Sequence, residues 1–443
     1  MTVVFYSTNA MRYAAEDFEI HTLPSRAVQW RRLAHDYPQH DFVVATQQPA
    51  LFLLDGETEL DSVRLVMLRG CAAHDIAQEL LALRPALAIA ASFWHAPYDW
   101  LGLEDALVAE ELRAHGVQTM CHSAQTALDC FDKRRTQLVL QRHGFAVPRS
   151  VYVHHQLFWC ERGHGAEIKN NVYKEHVLNQ IRCLRFPVVI KDTVGISSYG
   201  AEVAVSYKQA LHYLCSGRTK SDRIVQEFIA GEQCGLELYG RKGQCTVLPP
   251  LVFSVNRYGI TSPRQSMKIG PVCPAPHRME ELARLLQCDG VMQADLIFSE
   301  GKWYVIEINA RLSGMSETYA AALGIPLFEL LLRCGLGERI DAGNMAHVCN
   351  VKLPLLCVPQ LHDLYQIPFV RYVHQVRNKA ARQEREKGYC ELVCVAQSME
   401  ELLQCVDDLR ARFPHLLAAE CSERARVLAR QANLCYTVPD LEE

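Results

Sequence analysis

Two apolar, strand-like runs close together in the sequence carry acids and an amide. Asp295 lies in the run Ala-Asp-Leu-Ile-Phe, and Glu307 and Asn309 lie in the run Tyr-Val-Ile-Glu-Ile-Asn. If the runs pair as a hairpin, Asp295 and Glu307 can lie near each other. Glu307 and Asn309 project to one side because they are two residues apart. Two carboxylates and an amide oxygen suit Mg²⁺ held together with phosphate groups. The alternative is a structural ion cluster in which the acids pair with Arg311 or a lysine.

Lys191 ends the apolar run Phe-Pro-Val-Val-Ile-Lys, and a Gly/Ser-rich segment follows it. A lysine at the end of a buried strand costs free energy unless its ammonium reaches an anion or water. In the segment that follows, Gly195, Ser197, Ser198 and Gly200 let backbone N–H groups and hydroxyls surround phosphate oxygens. No Gly-Lys-Ser/Thr sequence follows, so this is not a Walker loop. Taken alone, the segment could also be an ordinary turn after a strand.

A third candidate segment is Gln-Glu-Phe-Ile-Ala-Gly-Glu-Gln, which runs from Gln226 to Gln233. It directly follows the strand-like residues Ile224 and Val225. A strand that ends in polar side chains and turns at a glycine can present backbone edges and carboxamide groups to a purine. The alternative interpretation is an exposed strand end.

Taken in order, these segments resemble those of the ATP-grasp enzymes. The resemblance covers about residues 86 to 335, and it extends more loosely to both ends. The features that carry it are, in chain order, Asp132-Lys133 shortly before Gly144-Phe-Ala-Val-Pro148, Lys191 with its Gly/Ser loop, the Gln-Glu-Phe-Ile hinge with Gly231, Asp295, and Glu307-x-Asn309-x-Arg311.

The resemblance implies a role for each matched residue. The nucleotide phosphates would be contacted by Lys133 and Lys191 and covered by a flap that includes Gly195, Ser197, Ser198 and Gly200. Adenine would lie at a hinge formed by Gln226, Glu227 and Ile229, and Gln233 stands where the family often has a ribose-binding glutamate. The magnesium ligands would be Asp295, Glu307 and Asn309, with Arg311 as the catalytic cation at the transferring phosphoryl group. The implied cofactors are ATP and Mg²⁺, with Mn²⁺ as an alternative metal.

Two features bear on which branch of the family the chain resembles. The stretch Pro97-x-x-x-Leu-Gly-Leu-Glu-Asp105 is similar to D-alanine–D-alanine ligases. Those enzymes, however, carry an arginine two residues before the first magnesium carboxylate, where this chain has Gln293. The Asn309-x-Arg311 ending and the long tail after residue 345 are closer to the carboxylase and amino-acid-ligase branches.

The implied reaction is the joining of an acid to an amine through an acyl phosphate, with release of ADP and phosphate. We expect an amide or peptide bond, formed between amino acids or amino-acid-like acids. The segments 195–200 and 255–276 would act as lids that keep water from the acyl phosphate. The second segment contains Arg257, Arg264 and Lys268. We take Arg264 and Lys268 as candidates for binding a substrate carboxylate at the reaction centre, with a solvated basic loop as the alternative.

Two functions from other classes stay open at this point. One is activation of bicarbonate, as in biotin carboxylase, which needs a biotin-carrying partner because this chain has no Met-Lys-Met biotinylation site. The other is nucleotide binding without catalysis, against which the intact set of Asp295, Glu307 and Asn309 argues. Otherwise the expected partners are a small-molecule carboxylate and a small-molecule amine, with a homodimer as the alternative to a monomer.

The elements that must position these residues predict α/β and α+β architecture in three domains. Residues 1–128 alternate apolar runs (3–6, 42–45, 87–92) with helical spacing, which is typical of a parallel sheet. For 129–344 we expect an ATP-grasp domain of α+β type, with strands at 187–191, 223–229, 235–239, 245–253, 291–298 and 303–308, helices at 205–216 and 277–288, and a helix plus loop at 152–186. For 345–443 we expect an α+β lobe with strands at 348–357 and 389–396 and a helix at 398–412.

Composition narrows the class of protein further. The 443 residues carry 46 Lys+Arg against 50 Asp+Glu, a net charge of −4, so nothing points to nucleic acid or to a membrane as partner. The 18 cysteines contain no Cys-x-x-Cys pair, which favours buried free thiols over a zinc site. The first residues lack the features of a signal peptide, and the longest apolar run, 86–94, is too short to cross a bilayer. We therefore expect a cytoplasmic protein.

Overall fold

The computed structural model divides the chain among three sheets with helices packed on them. It describes residues 1–8, 17–47, 51–93, 101–159, 170–195, 201–216, 221–256, 266–272, 276, 278–381, 387–418 and 420–434.

The first sheet is parallel and belongs to the N-terminal region. Its strands are β1 (Thr2–Tyr6), β3 (Asp41–Thr46), β4 (Arg64–Met67), β5 (Leu87–Ala90) and β6 (Gln118–Met120), in the order β4-β3-β1-β5-β6. The accompanying helices are α1 (Arg26–Asp36), α2 (Leu51–Leu54), α3 (Ala73–Ala82), α4 (Leu101–Ala114) and α5 (Ala124–Phe131). Strand β1 is apolar and fully buried at Val3, Val4 and Phe5, as expected for a strand covered on both faces. The predicted parallel sheet is confirmed.

The second sheet is antiparallel and has four strands. In sheet order they are β7 (Ser150–Val153), β10 (Arg223–Glu227), β8 (Val188–Asp192) and β9 (Glu202–Ala204). The chain enters this region through α6 (Lys133–Arg142), and the sheet packs against α7 (His155–Trp159), α8 (Val172–Arg182) and α9 (Tyr207–Leu214). Within 152–186, where the sequence predicts a helix and a loop, the described residues 152–159 and 170–186 contain the end of a strand and two helices.

The third sheet has ten strands, all paired antiparallel. Its order is β16-β15-β11-β13-β14-β17-β19-β18-β2, with β12 paired to β11. The strands are β2 (Phe18–Leu23), β11 (Glu232–Arg241), β12 (Gln244–Val247), β13 (Leu251–Phe253), β14 (Met267–Gly270), β15 (Gly290–Ser299), β16 (Lys302–Asn309), β17 (His347–Leu353), β18 (Val370–Asn378) and β19 (Gly388–Ala396).

Two features of this sheet differ from the strands and domain bounds predicted from the sequence. The single strand predicted at 245–253 is wrong, because Pro249 and Pro250 separate β12 from β13 and proline cannot donate to a strand ladder. The sheet also runs without interruption past residue 344, and β2 from the N-terminal region pairs with β18 at its edge.

The remaining helices cover the ten-stranded sheet. They are α10 (Met279–Leu285), α11 (Ser316–Leu323), α12 (Leu327–Leu336), α13 (Val358–Tyr365), α14 (Met399–Arg412) and α15 (Glu420–Leu434). Helix α12 is buried between the parallel sheet and the large sheet, where Phe328 stacks on Trp30 of α1 with ring centroids 3.8 Å apart. This shared core fixes the N-terminal region relative to the large sheet.

Two findings concern the sequence as a whole. The described cysteines are free thiols and most are buried, as the sequence predicts. Within the described ranges, no single helix is long and apolar enough to cross a membrane, although α11 and α12 pass that test as a pair bent by 86°.

Candidate active site

The hairpin predicted for the acids is present and forms the floor of the site. In β15 and β16, Asp295 lies directly opposite Glu307, and Gln293 lies opposite Asn309. The register shifts between Asp295 and Leu296, where the ladder contains a β-bulge. Such a bulge locally twists a strand and re-aims its side chains. The two carboxylates and the amide thus occupy one end of the hairpin, as the sequence predicts.

The surroundings of Asp295 disfavour its charged form. Burial, and then the nearby Glu307 carboxylate, raise the pKa of Asp295 to about 7, although Lys268, Lys191 and Arg311 lower it in part. Gln293 donates a hydrogen bond from Nε2 to Oδ1 of Asp295 over 2.7 Å. Two like charges in a low-dielectric setting favour binding of a cation between them.

Two lysines from the neighbouring sheet and helix converge on these acids. Lys133 is the first residue of α6, whose N-terminus is capped by the side chain of Asp132. Its Nζ lies 3.2 Å from Oε1 of Glu307 and also donates to the carbonyl of Gly195. Lys191 lies in β8, and burial, its largest influence, lowers its pKa to about 8, although Glu307 and Asp295 partly offset this. Both lysines therefore lie where they can meet anionic groups bound beside the carboxylates.

Arg311 follows the hairpin rather than continuing it. Strand β16 ends at Asn309, and Nη2 of Arg311 donates to Oδ1 of Asn309 over 3.1 Å. A strand that continued past Asn309 would carry Arg311 onto the same face, but β16 ends there and a turn brings the guanidinium to Asn309 instead. The N-terminus of α4 also approaches this turn, since a Cβ built on Gly102 would lie 3.5 Å from the carbonyl oxygen of Ala310.

A small cavity joins these parts. It is lined by residues from α4, α5, the β8 turn and the end of β16, namely Gly102, Leu103, Ala127, Cys130, Phe131, Gly195, Glu307, Asn309, Ala310 and Arg311. The N-terminal region therefore contributes a wall to the site that the hairpin carries.

The predicted purine hinge lies at the end of β10. The side chain of Gln226 is buried, with 3% exposure, and its Nε2 has no hydrogen-bond partner among the residues that the structure describes. A buried donor of this kind fits a ligand acceptor. The carboxylate of Glu227 instead accepts from the backbone N–H of Arg185 over 2.9 Å, so this side chain is engaged within the protein. Ile229 is buried, and Gln233 lies on β11 opposite Ile297.

Of the other predicted site residues, the structure describes Lys268 but not the remaining ones of the flap or of the basic segment. Lys268 lies on β14, where its Nζ is 3.4 Å from the carbonyl oxygen of Gly314, in the turn after Arg311. The flap residues Ser197, Ser198 and Gly200 and the basic residues Arg257 and Arg264 lie outside the described residues. Their roles therefore stay predictions.

Glu237 is a residue of the site that sequence reasoning missed. It is fully buried in β11, opposite Gln293 and two residues from Gly235, which itself lies opposite Asp295. Its carboxylate accepts hydrogen bonds from the hydroxyls of Ser313 (2.6 Å), Ser316 (2.7 Å) and Tyr239 (2.8 Å). Burial, the largest influence, raises its pKa. Glu237 thus holds the turn that follows Arg311.

The donor set fits Mg²⁺ better than a transition metal. Over the described ranges, no group of three or more His, Cys, Asp or Glu side chains forms a metal cage. Asp295, Glu307 and Asn309 supply hard oxygens only, and Mg²⁺ commonly takes its other ligands from water and phosphate. The neighbouring lysines, Lys133 and Lys191, suit those phosphates.

The predicted site residues from Lys133 to Arg311 fall within a segment that matches a known domain family. Residues 130–315 match the model of the ATP-grasp domain. The carbamoyl phosphate synthase large chain of Clostridium perfringens is 22% identical over 208 residues, which are 43% of this chain and 19% of that protein. The chain thus spans about a fifth of the length of this curated relative.

Solved structures share the fold over nearly the whole chain. An L-amino acid ligase from Bacillus licheniformis superposes with a TM-score of 0.62 at 15% identity, covering 93% of this chain and 97% of the other. N5-carboxyaminoimidazole ribonucleotide synthetase from Thermus thermophilus gives 0.59 at 13% identity, covering 93% and 98%. The biotin carboxylase domain of a Hydrogenobacter thermophilus 2-oxoglutarate carboxylase gives 0.59 at 13% identity, covering 94% and 90%. These likenesses show a common fold.

Proposed function

We propose that this chain, which carries an ATP-grasp domain at residues 130–315, is an ATP-dependent carboxylate–amine ligase. The observation that supports this most directly is the meeting of Asp295 and Glu307 with Lys133 and Lys191 in one cluster, in which Lys133 is buried and the other three side chains are half-buried. Acids and cations held together in this way suit a triphosphate and its metal. The substrates we propose are amino acids or amino-acid-like acids, joined to an amine as an amide or peptide.

The described residues supply the parts of a phosphoryl-transfer site. Asp295, Glu307 and Asn309 would hold Mg²⁺, which when bound neutralises charge on phosphate oxygens. Lys133 and Lys191 would bind the phosphates from the opposite side, and the buried end of β10 at Gln226 would receive the adenine. Arg311 would lie at the γ-phosphoryl group, beside Asn309.

In the first step that we propose, a carboxylate oxygen of the acid attacks the γ-phosphorus and ADP leaves. The product is an acyl phosphate. The amine nitrogen then attacks the acyl carbon, the C–O bond to phosphate breaks, and the nitrogen loses a proton. Arg311 stabilises the oxygens that crowd together in both transition states, because a guanidinium can bind two oxygens at once.

A screen of amino-acid pairs with ATP and Mg²⁺ tests this function, with phosphate release and product mass as readouts. We expect ADP, phosphate and an amide from the correct pair. The acid alone should give little ADP, because closed lids would protect the acyl phosphate until the amine binds. Formation of AMP and pyrophosphate would instead indicate an adenylate route and would contradict the proposal.

A second candidate is activation of bicarbonate, favoured by the likeness to a biotin carboxylase domain whose structure contains MgADP and bicarbonate. Formation of ADP that depends on bicarbonate, without any amine, would support this function. Formation of ADP that depends on an acid and an amine together would exclude it as the main reaction.

A further inference from the structure

The face of the large sheet that carries Asp295 continues across the sheet into its C-terminal strands. Directly paired residues project to the same face, as do residues two apart along a strand. Asp295 lies opposite Gly235 on β11, and Gly235 lies opposite Leu251 on β13. Phe253, two residues after Leu251 on the same strand, lies opposite Lys268 on β14. One face of the sheet therefore carries both Asp295 and Lys268.

The same face continues from Lys268 to β17 and β19. Lys268 lies opposite Asn350, and Lys352, two residues further along β17, lies opposite Glu391. We call Lys268, Lys352 and Glu391 the C-terminal polar face. The active site assigned above does not use Lys352 or Glu391.

Helix α11 covers part of this sheet face and marks where the C-terminal polar face begins. Thr318, in the first turn of the helix, accepts a hydrogen bond from Nδ2 of Asn350 over 2.6 Å. Lys352 lies two residues beyond Asn350 along β17, and Lys268 reaches Gly314 in the turn before the helix. The C-terminal polar face thus adjoins the N-terminal end of α11 and the turn that follows Arg311.

The charges on this face are arranged to leave the ammonium groups available. In the part of the chain that the structure describes, neither Lys268 nor Lys352 forms an ion pair with a carboxylate. Nζ of Lys352 instead lies 4.1 Å from the ring centroid of Tyr389, although Glu391 is its direct cross-strand neighbour. Lys352 is half-buried, and opposite charges directly across a strand pair attract each other, so the absence of this ion pair needs a cause.

Glu391 is engaged elsewhere. It is 6% exposed, and its Oε1 accepts a hydrogen bond from Nδ2 of Asn350 over 3.0 Å. Asn350 therefore engages the carboxylate of Glu391, and Lys352 forms no ion pair with it. Burial lowers the pKa of Lys268, and Glu391 is the group that most offsets this. Two cations and one acid leave the C-terminal polar face with a net positive charge.

We propose that Lys352, together with Lys268, forms an anion subsite that binds the carboxylate of the amine substrate. This inference rests on the proposed ligase function and specifies the amine: it is an amino acid rather than an uncharged amine. A carboxylate on Lys352 and Lys268 places the rest of the ligand on the sheet face that leads to Asp295. The amine nitrogen can then approach the acyl group from the side of the C-terminal strands of the large sheet.

The test compares an acceptor amino acid found in the pair screen with its own carboxamide, which lacks the negative charge. For the unmodified protein we expect kcat/KM to favour the acid over the carboxamide by at least about tenfold, the typical effect of losing a charge-assisted hydrogen bond. In Lys352→Met this preference should fall close to one. Lys352→Arg, which keeps the charge, should retain most of it.

Lys302→Met is the matched control. Lys302 is exposed on β16, and its substitution makes the same change of charge and size as Lys352→Met. It should keep the preference of the unmodified protein. A preference that persists in Lys352→Met would overturn the subsite. So would equal use of the acid and the carboxamide by the unmodified protein, a comparison that needs no folded variant.

The two proposals fail in different ways. If no acid and amine pair produces ADP and an amide, the ligase function is wrong, and the subsite falls with it. If the protein joins acids to amines that lack any negative charge as readily as to amino acids, the ligase function stands and the subsite alone is wrong.

Discussion

Two buried clusters of charge in this molecule are built in opposite ways. In the first, the guanidinium of Arg26 is 1% exposed and forms an ion pair with Glu317. It also donates to the side chain of Gln29 (3.0 Å) and to the carbonyl of Phe52 (3.1 Å), and it lies 3.4 Å from the hydroxyl of Tyr372. This cluster joins α1 to α11 and β18, and its charge is balanced by partners from the protein.

The second cluster, at Asp295, is not balanced by the protein in the same way. There a carboxylate faces another carboxylate, and desolvation lowers the pKa of the half-buried Lys191 to about 8. Burying charge is costly unless each group is paired and hydrogen-bonded. From this comparison we propose that the cluster balanced by the protein stabilises the fold, whereas the cluster at Asp295 is completed by a ligand. Substitutions in the two clusters should therefore affect different measurements.

The largest effect should come from removing a carboxylate from the incomplete cluster. We expect Glu307→Gln to lower turnover at least about a thousandfold, or roughly 4 kcal/mol, because a magnesium ligand is lost. The melting temperature should change little. Glu338→Gln, at an exposed glutamate, is the control and should keep full activity. Turnover of Glu307→Gln within about threefold of the unmodified protein would show that the magnesium assignment is wrong. Asn309→Ala should lower turnover by orders of magnitude as well.

The balanced cluster should respond in the opposite manner. Arg26→Met leaves the carboxylate of Glu317 buried without its cation, and we expect a loss of about 3 kcal/mol or more in the free energy of unfolding. Turnover measured well below the melting temperature should stay close to that of the unmodified protein. Urea unfolding and steady-state turnover check both points. The double variant Arg26→Met/Glu317→Gln should recover part of the stability, since the unpaired charge is gone. No recovery would mean that the ion pair is not the main contribution.

Arg311→Lys should give the next largest effect. We expect nearly unchanged affinity for ATP but a loss of at least about a hundredfold in turnover, or roughly 2.7 kcal/mol, because an ammonium cannot reproduce a two-oxygen fork. If Arg311 were only structural, the lysine variant would keep most of its activity and Arg311→Ala would mainly lower the melting temperature. Nucleotide binding, turnover and thermal unfolding on both variants distinguish these outcomes.

The smallest effect concerns pH. Because the pKa of Asp295 is raised to about 7, the group must lose a proton before it can bind a cation. The apparent affinity for Mg²⁺ should therefore fall as pH drops below about 7, by up to about tenfold per unit, or roughly 1.4 kcal/mol. Titration calorimetry at pH 6 in buffers of different ionisation enthalpy should detect the released proton. Asp295→Asn should release none, and equal release by both proteins would assign the titration to another group.

The same shift has a consequence for stability. A carboxyl group with a raised pKa in the folded state contributes stability that is present below the pKa of the unfolded state, about 3.9. That contribution is lost as pH rises towards about 7, so the metal-free protein should become less stable over this window. Added Mg²⁺ should oppose the loss.

Local patterns in the sequence predicted which residues carry the chemistry better than they predicted the structure around those residues. Glu307 and Asn309 lie on one strand and Asp295 on the next, so a short hairpin was enough to bring them together. Lys191 could be singled out because a charge ended an apolar strand. The bulge beside Asp295 and the turn that directs Arg311 have no comparable sequence signal, because both depend on how the strands pack.

The residues that escaped prediction depend on distant parts of the chain. Glu237 is an acid in an apolar strand, which is a usable signal, but its partners Ser313 and Ser316 are 76 and 79 residues away. Lys352 comes near Lys268 and Glu391 only because β14, β17 and β19 pair side by side. The order of the large sheet could not be read from the sequence, because strand pairing is set by tertiary contacts rather than by local preference.

Strand β2 at the edge of the large sheet has a consequence for how the protein is made. It pairs with β18, and Thr22 lies 3.0 Å from Nδ1 of His374, 352 residues later in the chain. On the ribosome, β2 emerges long before its partner exists, and an unpaired strand is a site for wrong association. Forming so remote a contact is also slow. An isolated N-terminal fragment would leave this strand without its native partner, so β2 can take its place in the sheet only after β18 has been made.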